Sequence, residues 1–191
     1  MTEQEKRLHR CCFSGHRPEK LNNPEADIKQ WLSVQIDNAI AAGYTTFISG
    51  CAMGVDIWAG QIVLQKKVQN PALHLIAATP WPGFSNKWSV EWQVQYSELL
   101  KNADLIVPVC NHYHKGVFQQ RNEWMVDHSN RVIAYFNGAP GSAGLVRGVQ
   151  TDRAQLQDQD AEPRSRQRRG LHRRHQAYPS ERTFPRSEGH P

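Results

Sequence analysis

The chain has 191 residues, a formal net charge of +5 and four cysteines, a length that suits one domain with a full hydrophobic core. No stretch is apolar enough to cross a bilayer and the first ten residues contain no apolar signal region, so the sequence predicts a soluble cytoplasmic protein without a membrane partner. Because none of the cysteines forms a CxxC pair, we expect neither a disulfide framework nor a metal site.

Strand-like and helix-like segments alternate through the first 145 residues. The sequence predicts strands at 10–14, 45–49, 72–79, 104–110 and 131–137, and helices at 24–43, 54–68, 89–103 and 118–129. Pro108 indicates that the fourth strand lies near an edge of the sheet. Such alternation is typical of a parallel sheet covered by helices on both faces. We therefore predict an α/β, Rossmann-like three-layer fold with a mostly parallel sheet of about five strands.

The composition changes after residue 145. Residues 146–191 contain ten arginines and six acidic residues, and they lack lysine, isoleucine, tryptophan, cysteine and methionine. Such a segment cannot bury enough apolar surface to offset its chain entropy, so we predict a nucleotide-ligand-binding domain at 1–145 and a basic, disordered tail at 146–191. Two other interpretations stay open: an RNA-binding tail, and a segment that is translated out of frame.

The loop after the first predicted strand, "FSGHRPEKL", has the features of an anion site. Ser14 and Gly15 allow the backbone to turn tightly, so that amide groups can face a ligand. His16 and Arg17 add side-chain donors, and arginine suits two-pronged binding of phosphate. The alternative is a structural turn that carries two surface cations.

The loop after the second predicted strand, "SGCAMGVD", is rich in small residues. Ser49, Gly50, Ala52 and Gly54 leave room for a ligand to approach the backbone. Asp56 lies in the first turn of the following helix, where a carboxylate can accept from ribose hydroxyls or simply cap the helix. The segment matches neither GxGxxG nor a P-loop.

Three further segments contribute candidate ligand-binding residues. In "TPWPGFSNKW", Trp81 and Trp88 could stack on a base or cover the edge of the core. Arg121, in the fourth predicted helix, is a second candidate for phosphate. The glycine-rich loop after the fifth predicted strand adds Gly138, Gly141 and Ser142.

Five segments occurring in order, "CFSGHRP", "SGCAMGVDIWA", "TPWPGFSNKWS", "QQRNEWMVDHS" and "YFNGAPG", resemble the YpsA-type family of bacterial proteins. That family belongs to the SLOG superfamily, which also contains the Lonely Guy phosphoribohydrolases and the DNA-processing protein A group. The resemblance covers residues 9–144 and implies a Rossmann-like sheet with a pocket for a nucleotide-derived ligand. By position it points to Gly15, His16, Arg17, Gly50, Gly54, Asp56, Arg121 and Gly141.

One departure from these relatives bears on catalysis. Lonely Guy enzymes carry Pro-Gly-Gly-x-Gly-Thr followed by a catalytic glutamate, whereas this chain reads "PGSAGLVRGV". We therefore expect a sensor or regulatory protein that binds a ligand such as ADP-ribose, NAD or a nucleoside phosphate, without a resident cofactor. The alternative is a nucleotide N-glycosidase with Asp56 as the catalytic carboxylate.

A third hypothesis, a single-stranded nucleic-acid binder, is disfavoured because the first 145 residues are nearly neutral. Relatives in the superfamily often self-associate, so a homo-oligomer is also consistent with the resemblance.

Overall fold

The computed structural model describes residues 1–135 and 150–153. Its helices are α1 (Glu3–Leu8), α2 (Glu25–Ala41), α3 (Val55–Gln69), α4 (Val90–Asn102) and α5 (Val117–Asp127). Its strands are β1 (Arg10–Gly15), β2 (Thr46–Ser49), β3 (His74–Thr79), β4 (Leu105–Pro108), β5 (Arg131–Tyr135) and β6 (Gln150–Arg153). A short 3₁₀ helix, Pro18–Lys20, follows β1.

All the described strands pair in parallel in one sheet, in the order β4-β3-β2-β1-β5-β6. The α/β class and the parallel Rossmann-like sheet predicted from the alternation are confirmed. The chain winds from β1 toward β4 and then returns to place β5 on the other side of β1. In such sheets ligands bind beyond the carboxyl ends of the strands, near the place where the winding reverses.

Two hydrophobic cores cover the two faces of the sheet. The larger one packs α2, α3 and α4 against the sheet through side chains such as Leu32, Ile57 and Leu99. The smaller one packs Met125 of α5 against Ile48 and its neighbours. These two layers of helices around a central sheet give the three-layer architecture that was predicted.

Three elements were not predicted: the 3₁₀ helix, helix α1 and strand β6. Helix α1 begins with a capping box, in which the Thr2 hydroxyl accepts from the Glu5 amide and the Glu5 carboxylate accepts from the Thr2 amide. Strand β6 pairs with β5 inside the segment 146–191, where the polar sequence "QTDR" shows no apolar alternation. The domain boundary at residue 145 stays a prediction.

Strand β4 is the edge of the sheet on one side of the described strands, as Pro108 indicated. Leu105 and Ile106 are about half exposed there, at 51% and 46%. None of the described helices is long and apolar enough to cross a membrane.

Candidate functional site

A polar crevice of about 240 Å³ opens beyond the carboxyl ends of β1 and β2. The β1 loop forms one wall, the start of α3 forms the floor and α5 forms the opposite wall. The crevice is lined by Phe13, Ser14, Gly15, His16, Arg17, Lys20, Ala52, Asp56, Phe118, Arg121 and Asn122.

Close packing between the β1 loop and the start of α3 shapes this crevice. Gly15 lies so near the Val55 side chain that a methyl group on Gly15 would collide with it. Gly54 has φ +88°, and a Cβ built on it would lie 2.8 Å from Pro18 Cδ. Both glycines are therefore required by the close approach of two backbone segments, and they bring Arg17 and Asp56 to the same crevice.

The turn between β2 and α3 is held by its own side chains. The buried Ser49 hydroxyl donates to the Asp56 carbonyl at 2.8 Å and accepts from the Cys51 amide at 3.1 Å. Cys51 has φ +57°, and among the described residues it is the only non-glycine residue with positive φ. Backbone strain of this kind concentrates at ligand-binding and catalytic turns, and here it directs the start of α3 into the crevice.

Asp56 and Arg121 form a buried ion pair in which Asp56 Oδ2 and Arg121 Nη1 are 3.6 Å apart. The two residues are only 6% and 5% exposed. Oδ2 also accepts from the Ala52 amide at 3.4 Å, whereas Oδ1 has no hydrogen-bond partner among the described residues. Burial raises the pKa of Asp56 above the usual aspartate value, and Arg121 and the Ala52 amide oppose that rise. A buried oxygen without a partner is costly and calls for an explanation.

Arg121 is fixed by more than its acidic partner. Its Nη1 donates to the Gly50 carbonyl and its Nε donates to Asn122 Oδ1 at 3.0 Å. A Cβ on Gly50 would lie 2.7 Å from both Arg121 Cζ and Asp56 Oδ2, so the glycine makes room for the ion pair. The guanidinium of α5 is thus tied to the turn after β2, across the end of the sheet.

The mouth of the crevice is positively charged. Arg17 and Lys20 are both exposed side chains that line it. Within residues 1–135 the Arg17 guanidinium has neither a hydrogen-bond nor an ion-pair partner. A cation left available beside a crevice is suited to bind an anion, and arginine can do so with two parallel hydrogen bonds.

A second, apolar cavity of about 500 Å³ adjoins the crevice, and we call it the aromatic cavity. It is lined by Arg17, Trp81, Gly83, Phe84, Asn86, Lys87, Trp88, Tyr113 and Phe118. Trp81 makes edge-to-face contacts with Phe84, Tyr113 and Phe118, with ring centroids 5.1, 5.2 and 5.6 Å apart. Arg17 and Phe118 line both spaces.

The structure brings many of the predicted residues together. The crevice itself is lined by Ser14, Gly15, His16, Arg17, Ala52, Asp56 and Arg121. Directly behind its surface lie Ser49, Gly50 and Gly54. The neighbouring aromatic cavity is lined by Trp81 and Trp88. Outside the described residues lie Gly138, Gly141 and Ser142.

The sequence interpretation did not identify four residues that line the crevice, which are Phe13, Lys20, Phe118 and Asn122. Asn122 could have been found because it follows Arg121 in a helix that begins at the same edge of the sheet. Lys20 and Phe118 carry no local signal. In the described part of the chain, no group of three or more His, Cys, Asp or Glu side chains could hold a metal ion.

Comparison with known proteins places the chain among bacterial relatives. The model of the YspA SLOG family matches residues 11–159. UPF0398 proteins of Staphylococcus aureus strains JH9 and JH1 are each 23% identical over 112 residues, which cover 58% of this chain and 60% of the relative. The chain therefore spans about three fifths of the length of these curated relatives.

Solved structures with a similar sheet include DNA processing protein A from two bacteria. The Helicobacter pylori protein, described for its single-stranded DNA binding mode, gives a TM-score of 0.46 at 21% identity, covering 69% of this chain and 55% of that one. The Streptococcus pneumoniae protein gives a TM-score of 0.45 at 17% identity, covering 66% and 41%.

Proposed function

We propose, from the premise that the chain belongs to the YspA SLOG family, that its polar crevice binds the phosphorylated sugar of a nucleotide or nucleotide-derived ligand. The protein then acts as a sensor or regulator that responds to this ligand. One observation carries the proposal, which is that Arg17 and Asp56 line the same crevice. The Arg17 guanidinium has no partner within residues 1–135, and the buried Oδ1 of Asp56 has no hydrogen-bond partner among the described residues.

The phosphate would lie at the mouth, beside Arg17 and Lys20. The guanidinium of Arg17 can donate two parallel hydrogen bonds to phosphate oxygens, and Lys20 adds a second positive charge. Ser14 and Gly15 line the same space at the carboxyl end of β1, where the sequence predicted a tight turn and the structure has the last two residues of the strand. The positive side chains at the mouth favour an anionic group.

The sugar would lie deeper, against Asp56. The carboxylate Oδ1 can accept a hydrogen bond from a ribose hydroxyl, which would satisfy the buried oxygen that the described residues leave without a partner. Arg121 keeps the carboxylate in position from behind. A phosphate in this deeper position would meet the carboxylate at close range, so we assign the sugar to it.

Titration calorimetry with ADP-ribose, NAD and nucleoside phosphates tests the proposal on the full chain. We expect at least one of these compounds to bind and the Arg17→Ala variant to bind it about ten- to a hundredfold more weakly, because hydrogen bonds to charged groups contribute about 1.5–3 kcal/mol. Lys101→Ala, which removes an exposed cation on α4 away from the crevice, is the matched control. If no compound binds, or if Arg17→Ala binds as tightly as the wild type, the proposal is wrong.

A second candidate is an N-glycosidase, and the environment of Asp56 is the observation that favours it. A carboxyl group whose pKa is raised by burial holds its proton at higher pH than a surface aspartate and can donate it to a leaving base. In that reaction the bond between C1′ and the base nitrogen breaks, and the electron pair leaves with the base, which takes the proton from Asp56. Water then adds at C1′ and gives one proton to the Asp56 carboxylate, which restores the acid.

Chromatographic detection of free base from NAD or a nucleoside phosphate tests this activity. We expect release by the wild type and its loss in Asp56→Asn, which keeps the shape but cannot act as an acid. Ligand binding without any base release would exclude the enzyme and leave the sensor proposal intact.

A further inference from the structure

The aromatic cavity beside the crevice has a buried base and an exposed rim. Phe84 is buried at its base, whereas Trp81 and Trp88 are only partly buried and Tyr113 is 64% exposed at its rim. The edge-to-face contacts of Trp81 with three other rings hold these faces in a fixed arrangement. The fold thus keeps about 500 Å³ of apolar space open next to a charged crevice.

The two spaces differ in chemistry and meet at one cation. The crevice presents the buried ion pair and the β1 loop, while the cavity presents aromatic rings. Arg17 lines both, so this residue lies where a ligand would pass from one to the other. A ligand that fills both spaces therefore has a polar end, an anionic middle and a flat apolar end.

The size of the crevice supports a ligand that extends out of it. Sites for small molecules and cofactors usually measure about 300–1,000 Å³, and the crevice alone offers about 240 Å³. A phosphorylated sugar is suited to that space, whereas a complete nucleotide needs the neighbouring cavity for its base. Every nucleobase has a face that can stack on an aromatic side chain.

We infer that the ligand is a nucleoside diphosphate that carries a second sugar. The terminal sugar lies against Asp56, the diphosphate lies beside Arg17, and the nucleobase stacks in the aromatic cavity against Trp81. This inference rests on the proposed function and adds to it the class of ligand and the direction in which it lies.

Three probes separate the parts of such a ligand: ADP-ribose, AMP and ribose 5-phosphate, each titrated calorimetrically into the full chain. We expect ADP-ribose to bind at least about tenfold more tightly than either smaller compound, since stacking of one base changes affinity by about that factor or more. We also expect Trp81→Leu to remove most of this advantage while leaving the affinity for ribose 5-phosphate within about twofold.

Two further variants keep the test decisive. Tyr113→Ala changes an exposed ring at the rim of the cavity, so it reports on the cavity even if Trp81→Leu fails to fold. Trp92→Leu removes a partly buried tryptophan that packs against Trp58, outside the cavity, and serves as the matched control. ADP-ribose should quench tryptophan fluorescence in the wild type and in Trp92→Leu, and much less in Trp81→Leu.

The outcomes distinguish this inference from the proposed function. If ribose 5-phosphate binds with the affinity of ADP-ribose, and both need Arg17, the crevice binds a sugar phosphate and the inference about the cavity is overturned alone. Equal losses of ADP-ribose affinity in Trp81→Leu and Trp92→Leu, with no change in Tyr113→Ala, would overturn it as well. If neither the three probes nor NAD binds, the proposed function fails with it.

Discussion

Replacing Arg121 by methionine tests the physical basis of the site. Methionine occupies a similar length of space but leaves Asp56 without a cation. Arg121 Nη1 and Asp56 Oδ2 are 3.6 Å apart, and both side chains are 7% exposed. The substitution keeps a side chain of similar length but removes the charge of Arg121 together with its hydrogen bonds to the Gly50 carbonyl and Asn122. Because neither of those acceptors titrates, the pH dependence of the effect separates the ion pair from the lost hydrogen bonds.

The distance gives the expected size of the effect. At 3.6 Å and an effective dielectric constant of about 20, Coulomb's law gives about 4 to 5 kcal/mol for two unit charges. This agrees with the roughly 3–5 kcal/mol lost when one partner of a buried pair is removed. We expect Arg121→Met to lower the free energy of unfolding by about that amount at pH 8.

The effect should depend on pH in a defined direction. Burial raises the pKa of Asp56 above its value in the unfolded chain, so the folded state binds the proton more strongly and stability falls as pH rises through that interval. Removing Arg121 takes away a charge that opposes this rise, which widens the interval. The stability deficit of Arg121→Met should therefore be smaller at pH 4 than at pH 8, because a larger fraction of the Asp56 carboxyl groups is neutral at the lower pH.

Urea unfolding followed by circular dichroism at pH 4 and pH 8 measures this deficit. Lys66→Met is the control because Lys66 Nζ lies only 2.8 Å from Asp37 Oδ1, but the Asp37 side chain is 60% exposed. Exposed pairs contribute about 1 kcal/mol or less, so we expect a small loss in the control at both pH values.

A double variant, Arg121→Met with Asp56→Asn, completes the test. It leaves no uncompensated charge, so at pH 8 it should regain much of the stability that Arg121→Met loses. If the deficit of Arg121→Met is the same at pH 4 and pH 8, or if the double variant is no more stable than Arg121→Met, the electrostatic reasoning is refuted.

Three other predictions concern single positions. Gly50→Ala should lower the free energy of unfolding by about 1–3 kcal/mol, because the added methyl group pushes the buried ion pair apart, and it should weaken ligand binding in calorimetry. Gly60→Ala is the control, because its Cβ would press only on a flexible leucine methyl at 2.8 Å and should leave binding unchanged. Equal affinities for the two variants would contradict this. Desolvation raises the pKa of Asp104, but hydrogen bonds from a lysine of α3, the β3 backbone and a histidine outweigh it, so the pKa of this carboxyl group is lowered. Asp104→Asn should therefore destabilise the protein in thermal melts at pH 7 but not at acidic pH below that pKa. Cys110, the partly exposed thiol, should react with a thiol reagent in the native protein while Cys51, whose pKa burial raises to about 12, should not, as mass spectrometry of labelled peptides would show.

Local patterns were sufficient to predict most of the sheet. The alternation of apolar strands and amphipathic helices predicted five of the six described strands and their parallel arrangement. Strand β6 was not predicted because it forms by backbone pairing with β5, and its sequence "QTDR" has no alternating apolar residues. Helix α1 was not predicted because it has no buried apolar side chains and is stabilised by a capping box.

The candidate site was less accessible to sequence reasoning. Glycine-rich loops at strand ends pointed to Arg17 and Asp56, because parallel sheets collect those loops at one edge. The sequence could not show that Gly50 leaves room for Arg121, because the two residues are 71 positions apart and meet only in the folded protein. From the sequence around it, Trp81 could equally stack on a nucleobase or pack against the edge of the core. Only its position in the fold, beside the crevice, makes it a candidate for stacking on a base.

The exposed edge of β4 affects how the protein behaves in concentrated solution. None of the described strands pairs with the outer edge of β4, and such an edge with two half-exposed aliphatic side chains is a template onto which a strand from another molecule can add. Association on storage should therefore begin at Leu105 and Ile106. A lysine in place of Ile106 would place a charge on that edge and keep the protein dispersed for biophysical work.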